Sequence, residues 1–164
     1  MADTKHDSDI LDWDDLDEGK KMKIAVASDH AGFTYKEIIK TTLMEHGHEV
    51  TDFGTRSTQA VDYPDYIRPA AQAVASGKCE YGIVFGGSGN GEAIVANKVK
   101  GIRCAIAWDL RSAKLSRQHN DANMLSIGER MMSIHEAIEI VELWLETPFQ
   151  GGRHLSRIRK IESP

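Results

Sequence analysis

Five short apolar runs alternate with stretches that have the apolar spacing of a helix, and this alternation constrains the fold more than any other feature of the chain. Each run is bounded by polar residues or glycine, as buried strands are. The runs are MKIAVAS (22–28), HEVTDFG (48–54), YGIVFGG (81–87), IRCAIAW (102–108) and ANMLSIG (122–128). Strands this apolar need cover on both faces, so the pattern predicts an α/β fold with a parallel sheet between two layers of helices.

The stretches between the runs predict helices over residues 32–46, 62–77, 90–99, 109–120 and 153–162, and one more that begins after Ser133. Asp109 and Ser133 are residue types that cap a helix N-terminus. In a parallel sheet sandwiched by helices, ligands bind at the carboxyl ends of the strands. The residues that follow each predicted strand are therefore the first place to look for chemistry.

Length and composition exclude several classes of protein. With 164 residues the chain can form one domain with a sizeable core, and its hydrophobic content of 41% is ordinary for a globular protein. No apolar run approaches the roughly 20 residues that span a membrane. The net charge of −5 argues against nucleic acid as the main partner. Cys79 and Cys104 are too few for a disulfide scaffold or a cysteine-rich zinc site, which favours a reduced, cytoplasmic location.

Acidic residues are concentrated at the N-terminus. Residues 1–19 carry eight acidic side chains and one lysine, whereas residues 20–164 carry 19 basic and 17 acidic side chains. This composition predicts a disordered, solvated extension over residues 1–21, followed by a single domain over residues 22–164. The extension resembles neither a signal peptide nor an Arg-rich transit peptide. Docking of its ILDW segment on a partner is the alternative.

A glycine-rich segment, VFGGSGNGEAIVANK, begins at the third predicted strand and covers residues 84–98. It does not match the P-loop, because no Lys-Ser/Thr pair closes it. The dinucleotide fingerprint G-x-G-x-x-G fails in both registers. Counting from Gly87 and Gly89 places Glu92 at the third glycine position, and counting from Gly89 and Gly91 places Ile94 there. Dinucleotide binding is therefore not expected.

The loop nevertheless has the features of an anion site. A glycine run between a strand and a helix start directs several backbone N–H groups toward one point, and the helix dipole adds to their field. Such a nest can stabilise an oxyanion that develops only during a reaction. A base is then needed nearby, and Glu92 can remove a proton from carbon. The alternative is an ordinary first-turn glutamate that the helix dipole favours.

Polar residues also follow two other predicted strands. Asp29 and His30 come directly after the first strand, and Arg130 comes just past the fifth. Each is a candidate for binding or catalysis because of this position, although a histidine at a helix start is often structural. No histidine or cysteine spacing in the chain is convincing for a metal site.

Two further pairs lie on predicted helices. His119 and Asn120 end a helix, where a histidine can also be a simple partner of the helix dipole. Arg153 and Arg157 are four residues apart and share one helix face. Such a pair is either a solvated surface or the charged site that a phosphate monoester requires.

Several separated motifs resemble those of the ribose-5-phosphate isomerase B family, which also includes allose- and galactose-6-phosphate isomerases. They occur in the family's order and are ASDHAGF, DYP, GGSGNGEAIVANK, GIRCAIAWD, SRQHNDANMLSIGER and GGRH followed by an arginine. The resemblance covers about residues 22–160. It implies a Rossmann-like three-layer α/β/α sandwich with a five-stranded parallel sheet, at least a homodimer, and aldose–ketose isomerisation without a metal or a cofactor.

The family has two kinds of active site. One kind has a cysteine base at the end of the third strand, a position that is Gly86 here. The other kind has a GGSGNGE loop whose glutamate is the base, and this sequence is similar to the second kind. The resemblance therefore implies that Glu92 shuttles a proton between C1 and C2 of an open-chain sugar through a cis-enediolate. It also implies that Cys79 and Cys104 are dispensable.

The same resemblance implies roles for the loop and the residues around it. Ser88 would assist proton transfer between the two sugar oxygens, and Tyr63 would line the pocket. His119 would open the furanose ring, while Asp29 and Asn120 orient hydroxyl groups. The developing oxyanion would be held by the backbone amides of Gly87, Ser88, Gly89, Asn90 and Gly91.

The phosphate group would be bound by His30, Arg130, Arg153 and Arg157. In the family, residues around the His-Asn motif come from the neighbouring subunit, so the site would span the interface of a dimer. Arginines would hold the phosphate far from the reacting carbons and fix the position of the sugar. The permanent negative charge would then not repel Glu92.

These observations favour an isomerase that interconverts ribose 5-phosphate and ribulose 5-phosphate. A second hypothesis keeps the chemistry and changes the substrate to a hexose 6-phosphate or a tetrose phosphate. A third is a non-catalytic sensor of a sugar phosphate or nucleotide, although such a module needs no carboxylate beside an oxyanion hole. The expected partners are a small sugar phosphate and further copies of the chain, in a dimer or a tetramer.

Overall fold

Strands and helices alternate in the order that the sequence predicts. A computed structural model describes residues 20–164, so residues 1–19 of the predicted acidic extension lie outside the described part. The elements, in chain order, are β1 (Lys23–Ser28), α1 (Phe33–Glu45), β2 (Glu49–Asp52), α2 (Pro64–Ala75), β3 (Tyr81–Gly86), α3 (Asn90–Asn97), β4 (Cys104–Ile106), α4 (Leu110–Asn120), β5 (Met124–Gly128), α5 (Ile134–Glu146) and α6 (Arg153–Glu162).

The strands form one parallel five-stranded sheet in the order β2-β1-β3-β5-β4. Successive residues of β1 point to opposite faces, so that Ile24 belongs to a core cluster with residues of α1, α4 and α5, whereas Ala25 belongs to a cluster with residues of α2 and α3. Helices thus cover both faces of the sheet. The predicted three-layer α/β/α sandwich with a parallel sheet is confirmed.

The strands at the two edges of the sheet are shorter than the apolar runs that predict them. HEVTDFG yields only Glu49–Asp52, and IRCAIAW yields only Cys104–Ile106. β2 and β4 each pair with a single neighbour, and each ends two residues before that neighbour does, since β1 continues to Ser28 and β5 to Gly128. Between residues 20 and 164, none of the helices has both the length and the apolar character that crossing a membrane requires.

Both predicted helix caps are present as reciprocal capping boxes. Asp109 Oδ1 accepts a hydrogen bond from the amide of Ser112 at 2.6 Å. Ser133 Oγ accepts one from the amide of Glu136 at 3.2 Å, and Glu136 Oε2 accepts one from the amide of Ser133 at 2.8 Å. These contacts satisfy N–H groups that have no acceptor inside the helix, and they set where α4 and α5 begin.

Buried polar contacts fix the last turns of α4. Trp144 of α5 is fully buried, and its indole N–H donates to Ser116 Oγ at 3.1 Å. The guanidinium of Arg117 donates to the carbonyl of Ala122 at 2.6 Å and to that of Thr147 at 3.3 Å. Because a buried cation is costly unless it is hydrogen-bonded, these contacts hold the end of α4 in one position.

The cap of α5 is expected to contribute measurably to stability. Ser133→Ala removes the acceptor for the Glu136 amide and should lower the free energy of unfolding by about 1 kcal/mol. Ser133→Asp retains an acceptor at the same place and should stay close to wild type. Urea titrations followed by circular dichroism measure both values. Equal losses in the two variants would contradict a capping role.

Candidate active site

The strand order reverses between β1 and β3, and a crevice opens at the carboxyl ends of these two strands. The chain leaves β1 toward β2 on one side and places β3 on the other. This is where an open α/β sheet binds its ligand. Asp29 and His30 leave β1 at the crevice, and the glycine-rich loop leaves β3 there. The topology therefore brings these predicted site residues together.

Glu92 lies in the first turn of α3 with its side chain turned into the protein. Its exposed fraction is only 3%, unlike that of a solvated glutamate that the helix dipole alone stabilises. The carboxyl group fills the space beside the backbone of Gly86, where an added Cβ atom would overlap it. Glycine at position 86 is therefore what gives the Glu92 carboxyl its place at the end of β3.

Asp29 is the charged neighbour of Glu92. Its exposed fraction is 8%, and its Oδ1 atom accepts hydrogen bonds from the amides of Ala31 at 2.9 Å and Gly32 at 3.1 Å. Burial raises the pKa of Glu92, its own backbone N–H offsets part of that effect, and the charge and hydrogen bond of Asp29 raise the pKa further. Glu92 is thereby a stronger base than an exposed glutamate.

The glycine-rich loop is held in shape by two hydroxyl groups. Gly89 is the N-cap of α3 and has a φ of +85°, which a residue with a side chain rarely adopts. Ser126 of β5 is buried, and its hydroxyl donates to the Gly89 carbonyl at 2.7 Å. Ser88 Oγ accepts from the Asn90 amide at 3.3 Å, so one of the predicted oxyanion amides is already engaged.

Ser126 was not singled out by the sequence analysis. The available signal was a hydroxyl residue inside the apolar strand MLSIG, whose neighbours are buried. Its role depends on the pairing of β5 with β3, which puts Ser126 opposite Val84 in the ladder.

Tyr63 and His30 border the crevice on the α2 side. The Tyr63 ring lies against the loop, because a Cβ atom on Gly91 would be 2.6 Å from its Cζ atom. His30 Nδ1 accepts a hydrogen bond from the amide of Val61 at 3.1 Å. In the neutral ring, the proton is therefore on Nε2, which is the nitrogen left for a ligand.

Arg130 lies over the start of the loop. Its amide donates to the Gly87 carbonyl at 3.0 Å, and a Cβ atom on Gly87 would be 3.2 Å from its Nη1 atom. The preceding residue, Glu129, accepts a hydrogen bond from the amide of Tyr35 at 2.7 Å. The Tyr35 hydroxyl donates to the carbonyl of Met132 at 2.8 Å. α1 thus holds the turn that presents Arg130.

The remaining predicted site residues lie at the opposite side of the domain, near the amino ends of the strands. α4 begins after the carboxyl end of β4 and runs back over its 11 residues, about 16 Å, to end at Asn120 ahead of β5. Arg103, which precedes β4, donates to the Asn120 carbonyl at 2.9 Å and pairs with Glu162 of α6 at 2.5 Å. Within one chain, His119 and Asn120 are therefore separated from Glu92.

α6 carries positively charged side chains on this amino-end side of the sheet. Arg153 and Arg157 are exposed on α6. Between them, His154 is buried, and its ring stacks on that of His119 with centroids 4.4 Å apart and an interplanar angle of 16°. The predicted phosphate residues are thus divided, with His30 and Arg130 at the crevice and the two arginines of α6 near His119.

Neither thiol has the surroundings of a nucleophile. Burial raises the pKa of both Cys79 and Cys104, and the Glu92 carboxylate adds to the effect at Cys104. Among residues 20–164, no cluster of three or more His, Cys, Asp and Glu side chains is arranged to hold a metal ion.

Comparison with known proteins assigns the chain to a family. A model of the Ribose/Galactose Isomerase family matches residues 24–161. The chain belongs to this family. Ribose-5-phosphate isomerase B of Escherichia coli K12 is 45% identical over 139 residues, which cover 85% of this chain and 93% of that protein. The resemblance that the sequence motifs predict is therefore confirmed.

Solved structures of the family have the same fold. Ribose-5-phosphate isomerase B of Clostridium thermocellum has a TM-score of 0.85 and 49% identity, covering 86% of this chain and 95% of that one. The Mycoplasma genitalium enzyme, solved with bound ribulose 5-phosphate, has a TM-score of 0.83 and 39% identity, covering 85% of this chain and 93% of that one. These likenesses support the Rossmann-like description of the sandwich.

The geometry shows that side chains at positions 86 and 92 compete for the same space. A cysteine at position 86 would place its side chain where the Glu92 carboxyl now lies. One volume at the end of β3 can hold either group but not both. Glycine at 86 and glutamate at 92 are thus two halves of one arrangement.

Ionisation of buried Glu92 should reduce stability. Because the folded-state pKa of Glu92 is raised, its stabilising contribution is complete below the unfolded pKa and is lost as the pH rises through the folded pKa. Glu92→Gln cannot ionise, so its melting temperature should exceed that of wild type by a margin that grows with pH. Thermal unfolding from roughly pH 5 to 8 measures this margin.

Glu139→Gln is the matched control, because Glu139 is exposed on α5. It should show no comparable trend with pH. A margin for Glu92→Gln that stays constant or shrinks as the pH rises would contradict a raised pKa at Glu92.

Proposed function

We propose that this protein interconverts ribose 5-phosphate and ribulose 5-phosphate. The observation that carries the proposal is the Glu92 carboxyl, buried against Gly86 at the end of β3, in the first turn of the helix that follows the glycine-rich loop. Relatives named ribose-5-phosphate isomerase B are 45–49% identical over most of the chain. A further relative was solved with ribulose 5-phosphate bound. The buried carboxyl and the named relatives together support the assignment.

Glu92 is the base of the proposed reaction. It takes the proton from C2 of the open-chain aldose, and the electron pair of the C–H bond moves into a C1–C2 double bond as negative charge develops on O1. The amides of the loop stabilise that charge. Ser88 moves a proton from O2 to O1, and Glu92 returns its proton to C1 to give the ketose. Burial suits Glu92 to this step, because a raised pKa strengthens the base.

Ring opening must precede this proton transfer. The C1–O4 bond of the furanose breaks, O4 gains a proton, and the O1 hydroxyl loses its proton as the C1–O1 double bond forms. His119 is the proposed proton carrier, with Asp29 and Asn120 orienting the sugar hydroxyls. This division gives the two stages of the reaction to different residues.

His119 can reach the substrate of Glu92 only if it comes from a second copy of the chain. Within one chain, Glu92 lies near the carboxyl ends of the strands and His119 near their amino ends. A homodimer would bring the α4 end and α6 of one copy to the crevice of the other. Arg153 and Arg157 would then join His30 and Arg130 around the phosphate, through charge-assisted hydrogen bonds. A tetramer would be a pair of such dimers.

An exposed apolar surface between α3 and β4 fits such an interface. Trp108, just past the end of β4, is 65% exposed, Ile94 of α3 is 62% exposed, and Leu110 at the start of α4 is also exposed. Trp108 and Ile94 border a groove of about 630 Å³ between α3 and β4. Large apolar side chains grouped in this way mark interaction surfaces. A cytoplasmic location is part of the proposal and is supported by the free, buried thiol of Cys79.

An isomerase assay tests the proposal directly. Protein treated with EDTA is incubated with ribose 5-phosphate, and ribulose 5-phosphate is followed over time. Glu92→Gln should lower kcat by about a hundredfold to ten-thousandfold and leave the Kd for ribose 5-phosphate nearly unchanged, because the base is lost and the phosphate contacts remain. Thiol alkylation should have no effect on the rate.

Allose 6-phosphate and galactose 6-phosphate are assayed alongside as competing substrates. Faster turnover of either hexose phosphate would identify that sugar, and not ribose 5-phosphate, as the preferred substrate. Binding of a sugar phosphate without turnover of any of the three would favour the sensor hypothesis. A large loss of affinity with residual turnover in Glu92→Gln would remove Glu92 from the role of base.

Mixing two inactive variants tests the shared site. Glu92→Gln and His119→Ala are each expected to be nearly inactive alone. After subunit exchange, each mixed dimer holds one site with both Glu92 and His119, so the mixture should regain about a quarter of wild-type activity if half of the dimers are mixed. Size-exclusion chromatography with light scattering confirms the dimer. No recovery after demonstrated exchange would place both residues in one chain's site.

A further inference from the structure

His154 is the buried partner of the residue proposed to open the sugar ring. Its exposed fraction is 6%, although Arg153 and Arg157 on the same helix are exposed. Its ring lies nearly parallel to that of His119, with centroids 4.4 Å apart. A flat ring packed face to face against another restricts both the position and the tilt of its partner.

The turn before α6 places His154 against His119. Gly151 and Gly152 have φ values of +65° and +57°, which let the chain turn sharply before α6. The amide of Gln150 donates to the carbonyl of Gln118 at 3.1 Å, directly beside His119. The amide of His154 donates to the carbonyl of Gly151 at 3.3 Å. The turn is therefore tied to the last turn of α4 itself.

We propose that His154 is a positioning residue that holds the His119 ring at the angle needed for proton transfer to the furanose oxygen. The inference rests on the proposed function, since His119 has this task only in a sugar-phosphate isomerase. His154 contacts His119 and would act through that ring. Its effect is confined to ring opening, because His154 supports only the His119 ring, whereas the enolisation step belongs to Glu92, which the other copy contributes to the same site.

The electrostatic surroundings suit a neutral support. Burial lowers the pKa of His154, and the positive charges of His119, Arg153 and Arg157 lower it further. A neutral His154 can stack on His119 in either protonation state of that ring. His119 is then able to accept and release a proton without a fixed positive charge pressed against it.

The two stages of the reaction can be measured separately. Ribulose 5-phosphate cannot close into a furanose, because its C5 hydroxyl carries the phosphate, so the enzyme receives it as an open chain. Exchange of its C1 proton with D₂O therefore requires Glu92, and replacement of the proton held by Glu92 with solvent deuterium, but no ring opening. Consumption of cyclic ribose 5-phosphate requires both stages.

The experiment compares His154→Leu with His154→Phe in the full-length protein. Leucine fills the buried space without a flat face and should lower turnover of ribose 5-phosphate by about tenfold to a hundredfold through misplacement of His119. Its rate of C1 exchange into ribulose 5-phosphate should equal that of wild type. Phenylalanine keeps the stacked face and should retain most of the turnover. His135→Ala, at an exposed histidine on α5, should leave both rates unchanged.

The outcomes separate this inference from the proposed function. Wild-type protein without turnover and without exchange would overturn both. Active wild type together with equal losses of turnover and exchange in His154→Leu would overturn only the positioning role, since general damage to the site affects both stages. Unchanged turnover in His154→Leu would overturn it as well. Melting temperatures of both variants verify that each is folded.

Discussion

The packing of the Glu92 carboxyl against the backbone of Gly86 is the constraint on which the site depends. The carboxyl occupies the space that a side chain at position 86 would need. Glycine at the end of β3 follows from that arrangement, and a left-handed glycine at position 89 precedes the start of α3, the helix that carries Glu92. It places a base in a buried, polar corner, where the ionised form is disfavoured and the carboxylate is consequently a stronger proton acceptor.

The sheet topology decides which residues can act together. Parallel strands place Asp29, the glycine-rich loop and Arg130 on one side of the domain, because each follows the carboxyl end of a strand. A helix that returns across the sheet carries its C-terminal residues to the side where the amino ends of the strands meet, and this is where His119 and Asn120 lie. A chain built this way can complete a site from both groups only by association with another copy, which makes assembly part of the proposed chemistry.

The charges are distributed in a way that answers why an acidic residue borders an anion-binding loop. The cationic side chains proposed for the phosphate lie around the loop and on α6, whereas Glu92 is buried beneath the loop. In the proposed reaction, the loop amides would stabilise a charge that exists only transiently. A buried acidic residue beside the loop is compatible with such a transient anion.

The sequence by itself determined the alternation of strands and helices, the caps at Asp109 and Ser133, and the family, because periodicity, capping chemistry and contiguous motifs are local. It also indicated Glu92 and its loop. Only the tertiary structure decided that Glu92 is buried against Gly86, that Ser126 holds the loop, that His154 stacks on His119, and that the candidate residues form two groups. These features are contacts between residues that are distant in the chain, and no local pattern specifies such contacts.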